Sequence, residues 1–209
     1  MTDRREMPMF PLGTVLFPYA SLPLHVFEPR YRVMVRDLLD GDGEFGIVLI
    51  ERGHEVGGGD VRFDVGTIAP LVHAEELPDG RFALGCVGVA RAEVHEWLPD
   101  DPYPRAIVGV LDERGPSAGV DVARTAALES LERVYELVAR LSPRVELPDL
   151  LEIADDAARA SYECCRLAPV GALDAQRLLE AADATARFRA LAELLDDAAV
   201  VLRAQLGDR

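Results

Sequence analysis

The chain has 209 residues, of which 49% are hydrophobic and 28% charged, and its formal net charge at pH 7 is −15. This composition is typical of a globular protein, and its acidity disfavours binding to nucleic acids or anionic membranes, which need a cationic field. All 22 basic residues are arginine, which excludes Schiff-base enzymes, P-loop nucleotide sites and Ser-Lys peptidases because each needs a lysine amine.

Residues 7–41 combine a proline-rich extended half with one amphipathic helix. Pro29 suits a first helical turn, where its missing N–H costs nothing, and Glu28 places negative charge at the positive end of the helix. An apolar stripe at helical spacing follows, formed by Tyr31, Met34, Val35, Leu38 and Leu39. We expect Gly41 to end this helix in the left-handed conformation.

Strand signals dominate residues 44–112. The run Glu44–Arg52 is almost continuously apolar, and residues 61–72 predict a second strand with a bulge at Gly66 and an interruption at Pro70. Residues 77–80 have the chemistry of a hairpin turn, with glycine at the position of positive φ. Many short strands and one early helix predict a small, partly closed barrel.

The hydrophobic period changes from two to 3.6 near residues 115–119, and about four helices are predicted beyond them. We expect Asp149 to cap one helix, which carries Leu150 and Ile153 and continues to Pro169, and Asp183 to cap the last. The predicted fold class is α+β, with a β-barrel subdomain at residues 1–116 and an α-helical bundle subdomain at residues 117–209.

A long ordered series of motifs carries a family resemblance. It begins with FPLGTVLFP at residues 10–18 and PLHVFEPRYRVMV at 23–35, and it continues with VGTIA at 65–69, LPDGR at 77–81 and YPRA at 103–106. In these motifs the chain resembles the N-terminal, substrate-binding domain of Lon protease, which is also found in cereblon-like proteins. The resemblance covers nearly the whole chain. It implies a PUA-like β pseudo-barrel followed by a C-terminal helical bundle, and a polypeptide-binding role without ATPase or peptidase parts.

Signals for catalysis and metal binding are weak. The four histidines show no HxxxH spacing, the three cysteines no CxxC spacing, and no serine lies in a G-x-S-x-G elbow. His25 and Glu28 have a spacing compatible with an acid-base pair, but the same spacing suits a histidine at a helix start. We therefore predict a non-catalytic protein with no metal and no cofactor. The odd cysteine count and the polar N-terminus predict a cytoplasmic location.

Apolar side chains crowd into the proline-rich opening, where little regular structure is available to bury them, and exposed apolar area often marks an interaction site. We predict that the substrate-binding residues are Phe17, Pro18, Leu24, His25, Phe27, Arg30 and Tyr31. By the resemblance, the partners are polypeptide clients or a protease or chaperone partner, with no DNA and no membrane; the sequence does not specify an oligomeric state.

Three alternatives stay open from the residues alone: a PUA-like module that binds RNA, one that binds a small molecule, and a hydrolase. A cationic groove would indicate RNA, an aromatic cage a small molecule, and a buried serine or cysteine beside a histidine a hydrolase.

Overall fold

The computed structural model describes residues 4–55, 58–142, 144 and 153–207. The chain forms two compact units that divide after Asp112. The described residues of the first unit form seven strands and one helix, and those of the second form four helices. The predicted α+β fold, a β-barrel followed by helices, is confirmed.

The first unit is a closed five-stranded barrel with a three-stranded extension. Its elements are β1 (Arg5–Leu12), β2 (Ser21–Val26), α1 (Pro29–Asp40), β3 (Glu44–Arg52), β4 (Val61–Glu76), β5 (Phe82–Val87), β6 (Ala90–Leu98) and β7 (Arg105–Leu111). Strand β4 pairs with both β3 and β6, which closes the circuit β4–β3–β1–β7–β6. The second half of β4 pairs with β5, and β5 pairs with β2, which lies at the edge of the sheet.

The barrel interior follows from the alternation of side chains along its strands. Its core contains Met7, Met9, Val48, Ile68, Ala92, Val94, Ala106 and Val108. Gly66 pairs with both Val48 and Ala92, and a Cβ at this position would overlap the carbonyl oxygen of Ile47. Glycine is therefore required where three strands approach this closely. The β3–β4 ladder becomes irregular just beyond the Val48–Gly66 pair, close to the predicted bulge.

Two detailed predictions for this unit are wrong. Strand β4 is not interrupted at Pro70, which pairs with Glu44 at the point where β4 leaves β3 and starts to pair with β5. A proline, which lacks an N–H donor, is tolerated where ladder pairing changes partner. Gly41 ends α1 with φ −108°, outside the left-handed region, and Gly43 takes the left-handed conformation with φ +73°.

The second unit contains α2 (Val120–Leu141), α3 (Ala157–Leu167), α4 (Ala172–Glu180) and α5 (Ala184–Gly207). Helices α2 and α5 pack along each other, and Ser130 and Arg133 of α2 both bind Asp196 of α5, at 2.9 and 2.7 Å. Asp183 accepts a hydrogen bond from the Ala186 N–H at 2.9 Å, which confirms it as the predicted cap of the last helix.

The start of α3 differs from the prediction. Its cap is Asp156, which accepts from the Arg159 N–H at 2.8 Å, and Ile153 precedes the helix. The predicted cap Asp149 and its neighbour Leu150 lie outside the described residues. The predicted subdomain boundary after residue 116 stays a proposal, and Arg114 already forms a bridge with Asp183 of the second unit.

Candidate functional site

A pocket of about 270 Å³ lies beside strand β2 in the first unit. It is lined by Phe10, Leu12, Thr14, Leu22, Pro23, Leu24, His25, Val26, Phe27, Glu28, Tyr31 and Glu55. Successive β2 residues line it, whereas no residue of β5 does, so the pocket follows the open side of the strand and not one face of the sheet. Strand β1 and the first turn of α1 supply the opposite wall.

The open side of β2 exposes backbone groups. β2 pairs with β5 in a regular antiparallel register from Ser21–Val87 to Val26–Phe82, and the Gly88 N–H donates to the Ala20 carbonyl at 2.9 Å. Because hydrogen-bonded pairs alternate along an antiparallel ladder, Leu22, Leu24 and Val26 continue the pairing with β5. The backbone groups of Ser21, Pro23 and His25 therefore point away from β5.

Stacked aromatic rings form the floor of the pocket. The Phe10 and Tyr31 rings are parallel to within 12°, with centroids 4.3 Å apart, and the Arg30 guanidinium lies 4.5 Å from the Tyr31 centroid. Burial raises the pKa of Tyr31 to about 12, so its hydroxyl stays neutral throughout the physiological range. Phe27 is 55% exposed and offers an unburied ring at the pocket's rim.

Carboxylates supply the charge of the pocket lining, and no arginine belongs to the lining. Glu28 accepts a hydrogen bond from Arg30 at 3.2 Å, and Glu55 accepts one from the Gly13 N–H at 2.5 Å. The guanidinium of Arg30 also reaches the Glu55 carbonyl at 3.3 Å. The site therefore joins apolar rings to an acidic rim that is only partly neutralised.

A second arginine braces this rim. Arg62 donates to Asp60 at 2.6 Å and to Asp100 at 3.0 Å, and its guanidinium lies 4.9 Å from the Trp97 ring centroid. Although burial acts to raise the pKa of Asp60, the hydrogen bonds and charge of Arg62 hold that pKa below its ordinary value. Asp100 also lies 4.0 Å from Arg30, so the two arginines are linked through one carboxylate.

The structure divides the predicted binding residues into three groups. Leu24, His25, Phe27 and Tyr31 line the pocket, and Arg30 lies against its floor. Phe17 and Pro18 are buried and do not belong to the lining.

Sequence reasoning missed several pocket residues, namely Phe10, Leu12, Thr14, Leu22, Pro23, Val26, Glu28 and Glu55. The apolar pattern of the opening marked four of these, Phe10, Leu12, Leu22 and Val26, as residues that need burial. Glu55, by contrast, comes from the β3–β4 connection, which carries no local signal of a site.

The described residues show neither a metal-binding cluster nor an activated thiol at Cys86 or Cys164. They contain no group of three or more histidine, cysteine or acidic side chains that could hold a metal ion. Cys86 and Cys164 are buried, and burial raises the pKa of each thiol to about 11, which leaves no nucleophilic thiolate at neutral pH. Over the same residues, no helix has the length and apolarity needed to cross a membrane.

The family is decided by a profile match: residues 6–197 match the substrate-binding domain of ATP-dependent protease La, or Lon. The chain belongs to the Lon substrate-binding domain family. The resemblance found in the opening motifs is thereby confirmed, and so is the prediction of a non-catalytic chain, because the matched domain is the substrate-binding part of Lon.

The curated relatives of this chain include Lon proteases. The chain is 28% identical over 201 residues to Lon protease 2 of Herpetosiphon aurantiacus, and 27% identical over 204 residues to Lon protease 2 of Myxococcus xanthus. Each alignment covers 94% of this chain but 24% of the relative. The chain thus spans about a quarter of the length of the curated relatives it matches.

Solved structures show the same fold. A Lon N-terminal domain protein from Xanthomonas campestris superimposes with a TM-score of 0.64 at 27% identity, over 90% of this chain and 96% of that one. The N-terminal domain of Mycobacterium avium complex Lon protease gives a TM-score of 0.65 at 17% identity, over 92% and 99%. The second likeness concerns the fold alone.

Proposed function

We propose that this chain recognises exposed hydrophobic segments of unfolded polypeptides through the pocket beside β2, and presents them to a proteolytic or chaperone partner. The observation that carries the proposal is the pocket itself, which combines aromatic rings, an exposed Phe27 and an open strand edge in a family of substrate-binding domains. Unfolded segments expose apolar side chains and unpaired backbone groups together, and this site offers a surface for both.

Ring geometry and charge argue against the other two binding modes. The Phe10 and Tyr31 rings stack directly on each other with centroids 4.3 Å apart, so they do not form the open aromatic cage that would indicate a small-molecule site. RNA recognition requires a cationic groove, whereas the charged lining residues of this pocket are Glu28 and Glu55. A hydrolase is not supported either, since the Glu28 carboxylate is bound to Arg30 and His25 lies on the exposed side of β2.

The direct test is capture of a permanently unfolded protein, such as reduced and carboxymethylated lysozyme, by wild type and Phe27→Ala. Because the Phe27 side chain is 55% exposed, its removal leaves no core cavity, and stability should change by less than about 0.5 kcal/mol. We expect affinity to fall at least about fivefold, as it does when an aromatic anchor worth more than 1 kcal/mol is lost.

The matched control is Val122→Ala, because Val122 is also apolar and is 76% exposed, but lies on α2 of the second unit. It should capture the unfolded protein as wild type does. Equal affinities of wild type and Phe27→Ala, with affinity lost in Val122→Ala, would contradict the proposed site.

A further inference from the structure

We infer that a client binds this site in an extended conformation, as an additional strand along the free edge of β2, with one basic side chain in the pocket. This inference rests on the proposed function and adds to it the conformation and side-chain chemistry of the bound segment. Three observations support it. Strand β2 lies at the edge of the sheet, alternate backbone groups of β2 point away from β5, and the charged side chains of the pocket lining are carboxylates.

The first observation is the position of β2 at the edge of the sheet. Among the described residues, β2 pairs only with β5. Along Met9–Leu12, strand β3 pairs with one side of β1, and on the other side the β7 ladder ends at Pro8 and the Met9 N–H donates to the Pro104 carbonyl at 2.8 Å. The pocket is lined by residues of both β1 and β2, so an entering chain meets the outward backbone groups of β2.

The alternation of backbone groups along β2 determines which hydrogen bonds a client can make with this strand. The groups that point away from β5 are the carbonyls of Ser21, Pro23 and His25 and the N–H groups of Ser21 and His25. Pro23 provides no donor, and a proline of this kind on an edge strand disfavours indiscriminate pairing with other edges. Of the two outward donors, His25 belongs to the pocket lining and Ser21 does not, so a segment that pairs with β2 in the pocket has to accept from the His25 N–H.

The pocket's chemistry specifies one side chain of the client. In a paired strand, alternate residues lean to the same side, so a residue opposite His25 places its side chain among Phe27, Glu28 and Glu55. The aromatic ring offers contact to an apolar stem. The Glu28 carboxylate is paired with Arg30, so a positive head group is attracted mainly by the Glu55 carboxylate, whose hydrogen-bond donor is the uncharged Gly13 N–H. Arginine and lysine combine those two properties, and the chain's net charge of −15 acts in the same direction.

The test uses a fluorescein-labelled peptide, Ala-Leu-Thr-Arg-Thr-Leu-Ala, and a set of its analogues in which one backbone amide at a time is N-methylated. Strand addition predicts that methylation at alternate amides weakens binding about tenfold, while the intervening positions tolerate it, because only one set of amides pairs with β2. Replacement of the peptide's arginine by glutamate should weaken binding by a similar factor.

Two protein variants probe the same bond from the other side. His25→Pro removes the outward N–H at an edge position where proline is compatible with the strand, and His25→Ala removes the imidazole but keeps the N–H. We expect His25→Pro to bind the peptide about tenfold more weakly than His25→Ala. If His25→Pro does not fold, the N-methyl series on wild type decides the same question.

The outcomes separate this inference from the proposed function. If Phe27→Ala impairs capture of unfolded lysozyme, but N-methylation shows no alternation and the arginine and glutamate peptides bind equally, the function stands and strand addition is wrong. If wild type binds neither the peptide nor unfolded lysozyme, the proposed function itself fails.

Discussion

Each unit of the molecule contains an arginine that is bound by carboxylates and stacked on an aromatic ring, but the two arginines lie in different settings. Arg62 of the barrel unit, whose side chain is 9% exposed, binds Asp60 and Asp100 and stacks on Trp97. Arg187 of the helical unit is fully buried, and its guanidinium carbon lies 3.7 Å from the Tyr162 ring centroid.

The partners of Arg187 come from three separate segments: the residues before α2, helix α3 and helix α4. It donates to Glu113 at 3.0 Å, to the Ser161 hydroxyl at 2.6 Å and to the Leu178 carbonyl at 3.2 Å, while the Tyr162 hydroxyl donates to the same glutamate. A buried charge with this many partners fixes how the helices pack. Arg62, by contrast, is linked through Asp100 to Arg30 at the pocket. The same chemistry therefore holds a core together in one unit and supports the proposed binding surface in the other.

The largest effect should follow from Arg187→Met, which removes the buried cation and takes one hydrogen-bond donor from each of the Glu113 carboxylate, the Ser161 hydroxyl and the Leu178 carbonyl. We expect the free energy of unfolding to fall by about 3–5 kcal/mol. The change is measured by urea unfolding followed by far-UV circular dichroism. The exposed Arg203 of the same helix provides the control, and Arg203→Met should change stability by less than about 0.5 kcal/mol.

This variant also tests the contrast between the units. Under conditions where Arg187→Met is folded, it should capture unfolded lysozyme as wild type does. A loss of capture without a loss of the far-UV circular dichroism signal would show that Arg187 contributes to binding. Arg187 and Arg62 would then no longer differ in their roles.

A smaller loss of stability is expected when the barrel unit is disturbed without any change of charge. In Gly66→Ala the new methyl group meets the Ile47 carbonyl and the Val48 side chain, and such overpacking costs about 1–3 kcal/mol. Gly115→Ala is the matched control, because a Cβ there has no neighbour within 4 Å. Equal unfolding midpoints for the two variants would mean that the barrel does not depend on this close approach.

The smallest stability effect should come from Asp60→Asn, since Arg62 keeps Asp100 as a partner and the amide oxygen can still accept one of the two hydrogen bonds that Arg62 donates to Asp60. We expect a loss of about 1 kcal/mol. The folded-state pKa of Asp60 is depressed, so the ionised carboxylate stabilises the fold. That contribution is complete above the ordinary carboxyl pKa and is lost as pH falls through the lower folded-state value.

The pH dependence sharpens this prediction. Wild type should therefore lose more stability than Asp60→Asn when thermal unfolding is compared at pH 6 and pH 3. Parallel losses in the two proteins would show that Asp60 makes no ionisation-dependent contribution.

Elements with strong short-range signals could be predicted from the sequence. Pro29 at a first helical turn and the apolar run of β3 both led to the observed bounds, because capping and local burial decide them. The passage of β4 from one partner to the next at Pro70 could not be predicted, since it depends on pairings between residues far apart in the chain. The start of α3 was missed because an acidic residue upstream offered an equally good cap.

The candidate site was predictable only in part, for a related reason. Leu24, His25, Phe27 and Tyr31 were chosen because they crowd into a short extended segment, and they do line one pocket. Phe17 was chosen on the same ground, yet it is buried, because apolar composition does not distinguish a core residue from a surface one. Glu55 joins the site only through the fold, which brings its loop to the end of β1, where it binds Gly13.

Amide hydrogen exchange tests directly whether polypeptide binding takes place at the β2 edge. With unfolded lysozyme bound, we expect slower exchange in β2 and the first turn of α1, since a paired edge loses contact with water. Segments around the exposed Val122 of α2 should exchange as in the free protein. Protection confined to the helices of the second unit, with β2 unchanged in a complex shown to form, would contradict the account.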